Sequence, residues 1–150
     1  MDEADRKILA ELQRDGRLTV TELGERIGLS LSPCHRRVRA LEQSGVISAY
    51  RAQVDPTKVG LNFSAIVFVT LGDGNSDSVR AFETALMEVP QIVQAQRLFG
   101  DPDYMLHVLS RDLSHFRELY DECLSALPGV QRLTSTLVMK NIVLNRPVPL

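Results

Sequence analysis

Residues 19–43 read TVTELGERIGLSLSPCHRRVRALEQ, and the organisation of the chain follows from them. Thr19-Val20-Thr21-Glu22 has the form of a capping box, in which a hydroxyl and a carboxylate satisfy each other's free backbone N–H groups at a helix start. Leu23 and Ile27 supply the inner face of that helix, and Gly28 ends it. After the turn Gly28-Leu29-Ser30, Ser32 is the expected cap of a further helix over 33–43, with Pro33 at its first position, where a missing N–H is harmless. Helical periodicity puts Cys34, Val38 and Leu41 on one face of it. Ser32, Arg36, Arg39 and Gln43 fall opposite, with His35 and Arg37 on the flanks. Two short helices joined by a glycine-containing turn, the second with a basic outer face, describe a helix-turn-helix.

The flanks agree. Ile8, Leu9 and Leu12 make an apolar stripe that starts at Asp2 or Asp5 and stops at Gly16, which predicts a first helix with acids at its positive end. Residues 46–54 (VISAYRAQV) have β-forming character up to Asp55-Pro56 and are expected to form a wing or linking strand. A charge run alone also suits the solvated face of an ordinary three-helix bundle. The capping box, the turn, the Ser-Pro start and the outward arginines together favour a DNA-reading helix.

Bulk charge is uninformative, since 17 Lys/Arg against 19 Asp/Glu leave a formal net charge of −2. Its distribution says more. Residues 1–60 carry 10 basic and 9 acidic side chains, and 61–150 carry 7 and 10. His35, Arg36, Arg37 and Arg39 crowd one segment with no acid until Glu42, giving a local positive patch of the kind duplex phosphates attract. Cys34 and Cys123 have no metal-ligand spacing, so neither a metal site nor a disulfide is expected, and reduced thiols suit the cytoplasm. No apolar run approaches the roughly 18–20 residues of a membrane span. The acidic start Met1-Asp2-Glu3-Ala4-Asp5 is unlike a signal peptide.

From residue 61 the pattern changes. Ala65-Ile66-Val67-Phe68-Val69 is a strand-length apolar run broken at 72–75. Val79, Phe82, Ala85, Leu86 and Val89 recur at helical spacing until Pro90. Strands are expected over 92–99 and 104–109, joined by the turn Gly100-Asp101-Pro102-Asp103. A helical stripe from Leu113 to Leu127 ends at Pro128-Gly129, and a long strand over 130–143 follows. The order β-α-β-β-α-β predicts a ferredoxin-like sandwich, so the whole chain is an α+β protein. The expected domains are 1–60, a winged helix-turn-helix with its linking strand, and 61–150, a regulatory and assembly domain. Two helices cover only one sheet face. The unbroken apolar first strand implies that the other is covered as well, by an identical subunit.

Asp5-Arg6-Lys7-Ile8-Leu9, Asp15-Gly16-Arg17, Gly28-Leu29-Ser30, Ser32-Pro33-Cys34, Arg37-Val38, Gly45-Val46-Ile47, Gly100-Asp101-Pro102-Asp103-Tyr104 and Leu127-Pro128-Gly129-Val130 occur in this order over essentially the whole chain. In them the sequence resembles the Lrp/AsnC (feast-famine) transcription regulators. The resemblance implies DNA binding by the winged helix-turn-helix, a homodimer that assembles further, to an octamer for example, and control by an amino acid or related metabolite. It places the effector around Gly100, Asp101, Asp103 and Tyr104, with Thr134, Ser135 and Thr136 of the last strand facing them. There Asp101 or Asp103 would accept from an ammonium, while hydroxyls and backbone N–H groups would donate to a carboxylate.

No nucleophile–base set or phosphate-binding glycine loop is visible, so neither catalytic residues nor a cofactor are expected. The alternative reading is a haem-pathway (siroheme-type) decarboxylase built on the same two-domain plan but without DNA binding. The basic face of the third helix argues against it. Cys34 and Cys123 are expected to be packing residues, His107 a hydrogen-bonded strand residue and His115 a surface residue.

Overall fold

The computed structural model describes residues 1–72 and 74–150. Asp73, within the break predicted at 72–75, lies outside the described residues. The chain divides into two compact units, Met1–Gln53 with Ile142–Leu150, and Val54–Asn141. The change of unit thus falls at 53/54, where a boundary at 60 was expected. Asp55 caps a short 3-10 helix, Pro56–Val59, that belongs with the second unit.

The first unit holds α1 (Glu3–Arg14), α2 (Val20–Ile27) and α3 (Leu31–Gln43). Both α1 and α2 open on complete capping boxes. Asp2 and Asp5 exchange side-chain and backbone hydrogen bonds of 3.0 Å, and Thr19 and Glu22 do the same at 3.2 and 2.8 Å. Ile8, Leu9, Leu23, Cys34, Val38 and Leu41 are buried together between the three helices. The cap predicted at Ser32 is instead Ser30, whose side chain makes no capping hydrogen bond. Proline is tolerated anywhere in a first turn, where N–H groups have no intrahelical partner, so α3 begins two residues before Pro33.

The turn between α2 and α3 is held by close approach. Gly28 adopts the left-handed conformation (φ +74°) as the cap of α2, and Leu29 N–H donates to Gly24 O at 2.9 Å. A Cβ on Gly24 would lie 2.6 Å from the Leu29 carbonyl oxygen and 3.7 Å from Cys34 Cβ. Only glycine fits there, because the obstacle is backbone and cannot swing aside.

The strand expected over 46–54 is absent from the described residues. A strand needs a hydrogen-bonded neighbour, and this unit contains no other strand among the described residues to provide one. Ile47 instead packs on the helical core, its N–H donating to Leu41 O at 3.0 Å. From the other end of the chain, Val148 pairs through both its backbone groups with the Gln13 side-chain amide, at 2.6 and 3.2 Å.

The second unit is the expected β-α-β-β-α-β arrangement: β1 (Phe63–Leu71), α4 (Ser76–Met87), β2 (Ile92–Arg97), β3 (Tyr104–Ser110), α5 (Leu113–Glu122) and β4 (Val130–Leu137). All neighbours in the sheet are antiparallel, in the order β2-β3-β1-β4. The predicted last strand to residue 143 stops at Leu137, and the helical stripe to Leu127 ends as a 3-10 turn, Leu124–Ala126. Period-2 alternation sorts the faces. Ala65, Val67, Val69, Tyr104, Leu106 and Val108 pack under α4 and α5 with Phe82, Phe116 and Leu124. Ile66, Phe68, Met105, His107 and Leu109 lie on the opposite face, half-buried and away from α4 and α5. No helix among the described residues is long and apolar enough to cross a membrane.

The close approach at Gly24 predicts that Gly24→Ala lowers the stability of the helical unit by about 1–3 kcal/mol, the usual cost of forcing an atom into a packed site. Gly16→Ala, whose new carbon would meet only ordinary contacts at 3.6 Å or more, serves as the control. Thermal unfolding followed by circular dichroism measures both. Equal midpoints for the two variants would refute the constraint.

Candidate nucleic-acid interface and effector site

Burial of Cys34, Val38 and Leu41 fixes which way α3 faces. Ser32, His35, Arg36, Arg39 and Gln43 are all exposed. Among the described residues, the side chains of His35, Arg36 and Arg39 have no hydrogen-bond or ion-pair partner in the chain; the paired arginine of this helix is Arg37. Two guanidinium groups and an imidazole are therefore left for an external acceptor, flanked by a hydroxyl and an amide that can donate or accept. Such a set suits phosphate oxygens and the N7/O6 edge of guanine.

Arg37 is used differently. Its guanidinium lies 2.8 Å from both Asp2 and Asp5 at the start of α1. It is only partly exposed and clamps α3 to α1, so the structure separates it from the other basic residues of the helix. The Asp2 carboxyl is held below its ordinary value of 3.8, first by the Asp5 backbone N–H and also by Arg37. Glu11, bound by Arg26 and Arg14, lies below its ordinary 4.5.

The turn between β2 and β3 crosses the end of β1 and is pinned there. Asp103 N–H donates to Val69 O at 2.9 Å, its carboxylate accepts from Leu71 N–H at 2.7 Å, and its carbonyl accepts from Leu98 N–H at 2.7 Å. Asp101 accepts from Thr70 Oγ1 at 3.2 Å and pairs with Arg132 of β4 at 3.2 Å. Gly100 has φ +133°, backbone that a side chain would strain. Tyr104 points inward. It is 2% exposed, its ring packs on Phe82 at 4.7 Å, and its hydroxyl donates to Glu83 at 2.8 Å. Burial and that carboxylate push the Tyr104 phenol up to about 12.

The three hydroxyl residues expected to face the turn together are split by the alternation of β4. Thr134 and Thr136 stand opposite Phe68 and Ile66 on the helix-free face, whereas Ser135 stands opposite Val67 on the helix-covered one. Arg132, opposite Thr70, shares the face of Thr134 and brings to the turn a positive charge that was not expected there. Period-2 counting back from Thr134 was the available signal. His107, on the same face, bonds Ser64 Oγ at 2.7 Å, and burial lowers its pKa. Both cysteines are free thiols, Cys34 buried and Cys123 partly so.

Each of the two units matches a known domain family. Residues 1–48 match the model of the winged helix-turn-helix DNA-binding domain, and residues 64–148 that of the Lrp/AsnC ligand binding domain. The chain is 38% identical over 143 residues to the proline dehydrogenase transcriptional activator of Rhodobacter capsulatus, covering 95% of this chain and 93% of that protein. It is 39% identical over 142 residues to the leucine-responsive regulatory protein of Escherichia coli K12, covering 95% and 87%. Among solved structures, a transcriptional regulator of Neisseria meningitidis in complex with L-Met superposes with a TM-score of 0.94 at 34% identity, covering 99% of this chain and 96% of that one.

A carboxylate held low in the fold stabilises it above its ordinary pKa and ceases to do so as the pH falls through the folded value. The helical unit is therefore expected to lose stability as the pH drops below about 4. Arg37→Met should lower its thermal midpoint at pH 7 and flatten that acid dependence, while Arg36→Ala changes neither. Melting curves between pH 2 and 7 check this, and an Arg37 variant as stable as the wild type would contradict the clamp.

Proposed function

The chain belongs to the Lrp/AsnC family of transcription regulators, a family of DNA-binding regulators rather than enzymes, and on that premise we propose that α3 reads duplex DNA under the control of an amino-acid effector. The observation that carries this reading is the set of unpartnered side chains on the outer face of α3, beside an Arg37 that is withdrawn into the fold. Arg36 and Arg39 are the base- or phosphate-contacting residues, with Ser32, His35 and Gln43 in support. Arg37 keeps the helix at the angle they need. Nothing in the matches favours the decarboxylase alternative.

The effector site is the turn 100–104 with the adjoining end of β4. Asp101 and Arg132 set opposite charges side by side, as a zwitterion requires. Thr134 and Thr136 add donors on the same face, and Asp103 and Tyr104 hold the turn in shape. A second copy of the chain covers the face bearing Ile66, Phe68, Met105 and Leu109, since apolar sheet surface left in water is unfavourable. Such a two-fold dimer presents two α3 helices to two half-sites, and effector-dependent packing between dimers changes their spacing. Assembly to an octamer extends the same scheme. The two free thiols fit a cytoplasmic protein.

Fluorescence anisotropy with the DNA upstream of the protein's own gene, against scrambled DNA, tests the reading. Specific, salt-sensitive binding that shifts with a pooled amino-acid mixture is expected. Arg36→Ala or Arg39→Ala should cost about 1–3 kcal/mol where the side chain is bidentate to guanine. Where it binds a phosphate, the substitution should instead weaken binding to all sequences alike and flatten the salt slope. Unchanged affinity in both variants would overturn the assignment of the reading face.

A further inference from the structure

A groove of about 490 Å³ opens between α5 and β4, on the helix-covered side of the sheet, lined by Leu113, Ser114, Phe116, Arg117, Tyr120 and Ser135. It lies wholly within the second unit. Its volume is in the range that holds one small organic molecule. Phe116 gives it an apolar floor, and Leu113 an exposed apolar rim.

The polar groups around that floor are not engaged by other side chains among the described residues. Among the described residues, the Arg117 guanidinium has no ion-pair or hydrogen-bond partner, and the Asp112 carboxylate that caps α5 is engaged by His115. The hydroxyls of Ser114, Tyr120 and Ser135 are likewise without side-chain partners. Ser135 comes to this wall because strand alternation turns it away from Thr134 and Thr136. The lining holds one cation and three hydroxyls but no carboxylate.

That inventory selects a ligand. A carboxylate finds a guanidinium and hydroxyl donors, and an apolar chain finds Phe116 and Leu113. An ammonium finds no anion, in contrast to the turn, where Asp101 offers one. We propose that this groove binds a small apolar 2-oxo carboxylate, the deaminated counterpart of an amino acid, at a site separate from the effector turn. The 2-oxo group accepts a hydrogen bond from a lining hydroxyl where an amino acid would leave its charge unpaired. The proposal rests on the reading of this unit as a ligand-sensing domain, and it gives the protein a way to register an amino acid and its oxo acid independently.

Isothermal titration of the full-length protein with sodium 4-methyl-2-oxopentanoate, and separately with L-leucine, tests it. Saturable binding of the oxo acid is expected. It should weaken about tenfold or more in Arg117→Met, which keeps the apolar stem, recover in part in Arg117→Lys, and weaken several-fold in Ser135→Ala. Asp101→Asn should leave oxo-acid binding unchanged. No saturable heat with the oxo acid at millimolar concentration, or equal affinity in Arg117→Met, would overturn the proposal, as would an oxo-acid response abolished by Asp101→Asn. Specific DNA binding that responds to the amino-acid pool, measured in the same preparation, would leave the regulatory reading standing when the groove proposal falls. A change of oligomeric mass in Arg117→Met without oxo-acid binding to the wild type would assign the groove to contact between copies and likewise overturn it.

Discussion

The close approach of the Gly24 backbone to the carbonyl of Leu29 is the constraint on which the DNA-facing half of the molecule depends. With no Cβ at residue 24, α2 can lie against the turn that follows it, and Cys34 at the start of α3 can pack beneath. The angle between the two helices is thus set by backbone, which has no rotamers to relax into. Arg37 then locks the other side of α3 to the start of α1 by pairing with two aspartates. Once both restraints act, the arginines left over point outward because every inward direction is taken. The exposed basic face of α3 results from where the core and the clamp are.

In the second unit β1 has the corresponding role. It is paired on both edges, buried on alternate residues under two helices, and crossed at its end by the 100–103 turn through the main chain of Val69 and Leu71. A turn tied by three backbone-directed bonds through Asp103 is a rigid platform. That leaves Asp101, with its more exposed ion pair to Arg132, as the less constrained carboxylate of the turn. Exposed ion pairs contribute little to stability, so on the effector reading proposed above, opening this one would cost little.

The helices were legible because their ends are written in local chemistry. Asp2, Thr19 and Gly28 do in the structure what their residue types imply, and the apolar stripes meet in one core. The strand order was legible because the apolar runs, the turn at Gly100 and the stop at Pro128-Gly129 punctuate it. What escaped depends on groups distant in sequence. Residues 46–54 have strand-forming side chains but, among the described residues of their unit, no strand to bond, and 139–143 follow after the bonding to β1 has ended at Val138 N–H on Ser64 O. Arg132 reaches Asp101 only through the register of β4 on β1. The run Thr134-Ser135-Thr136 looks like one patch, yet the pleat turns its middle member to the opposite face of the sheet. Pro33 drew the expected start of α3 two residues too late, since the rule that admits proline to a first turn does not say which position it takes.

Placement of α3 in the major groove of DNA is the central claim, and methylation interference reports on that surface directly. Methyl groups placed on guanine N7 project into the major groove, where Arg36 and Arg39 would bond. Interference is predicted at guanines in two clusters, one per half-site, about 10 base pairs apart or a multiple of that, as a two-fold dimer requires. Specific binding indifferent to N7 methylation, or blocked only by methylation of adenine N3 in the minor groove, would contradict it.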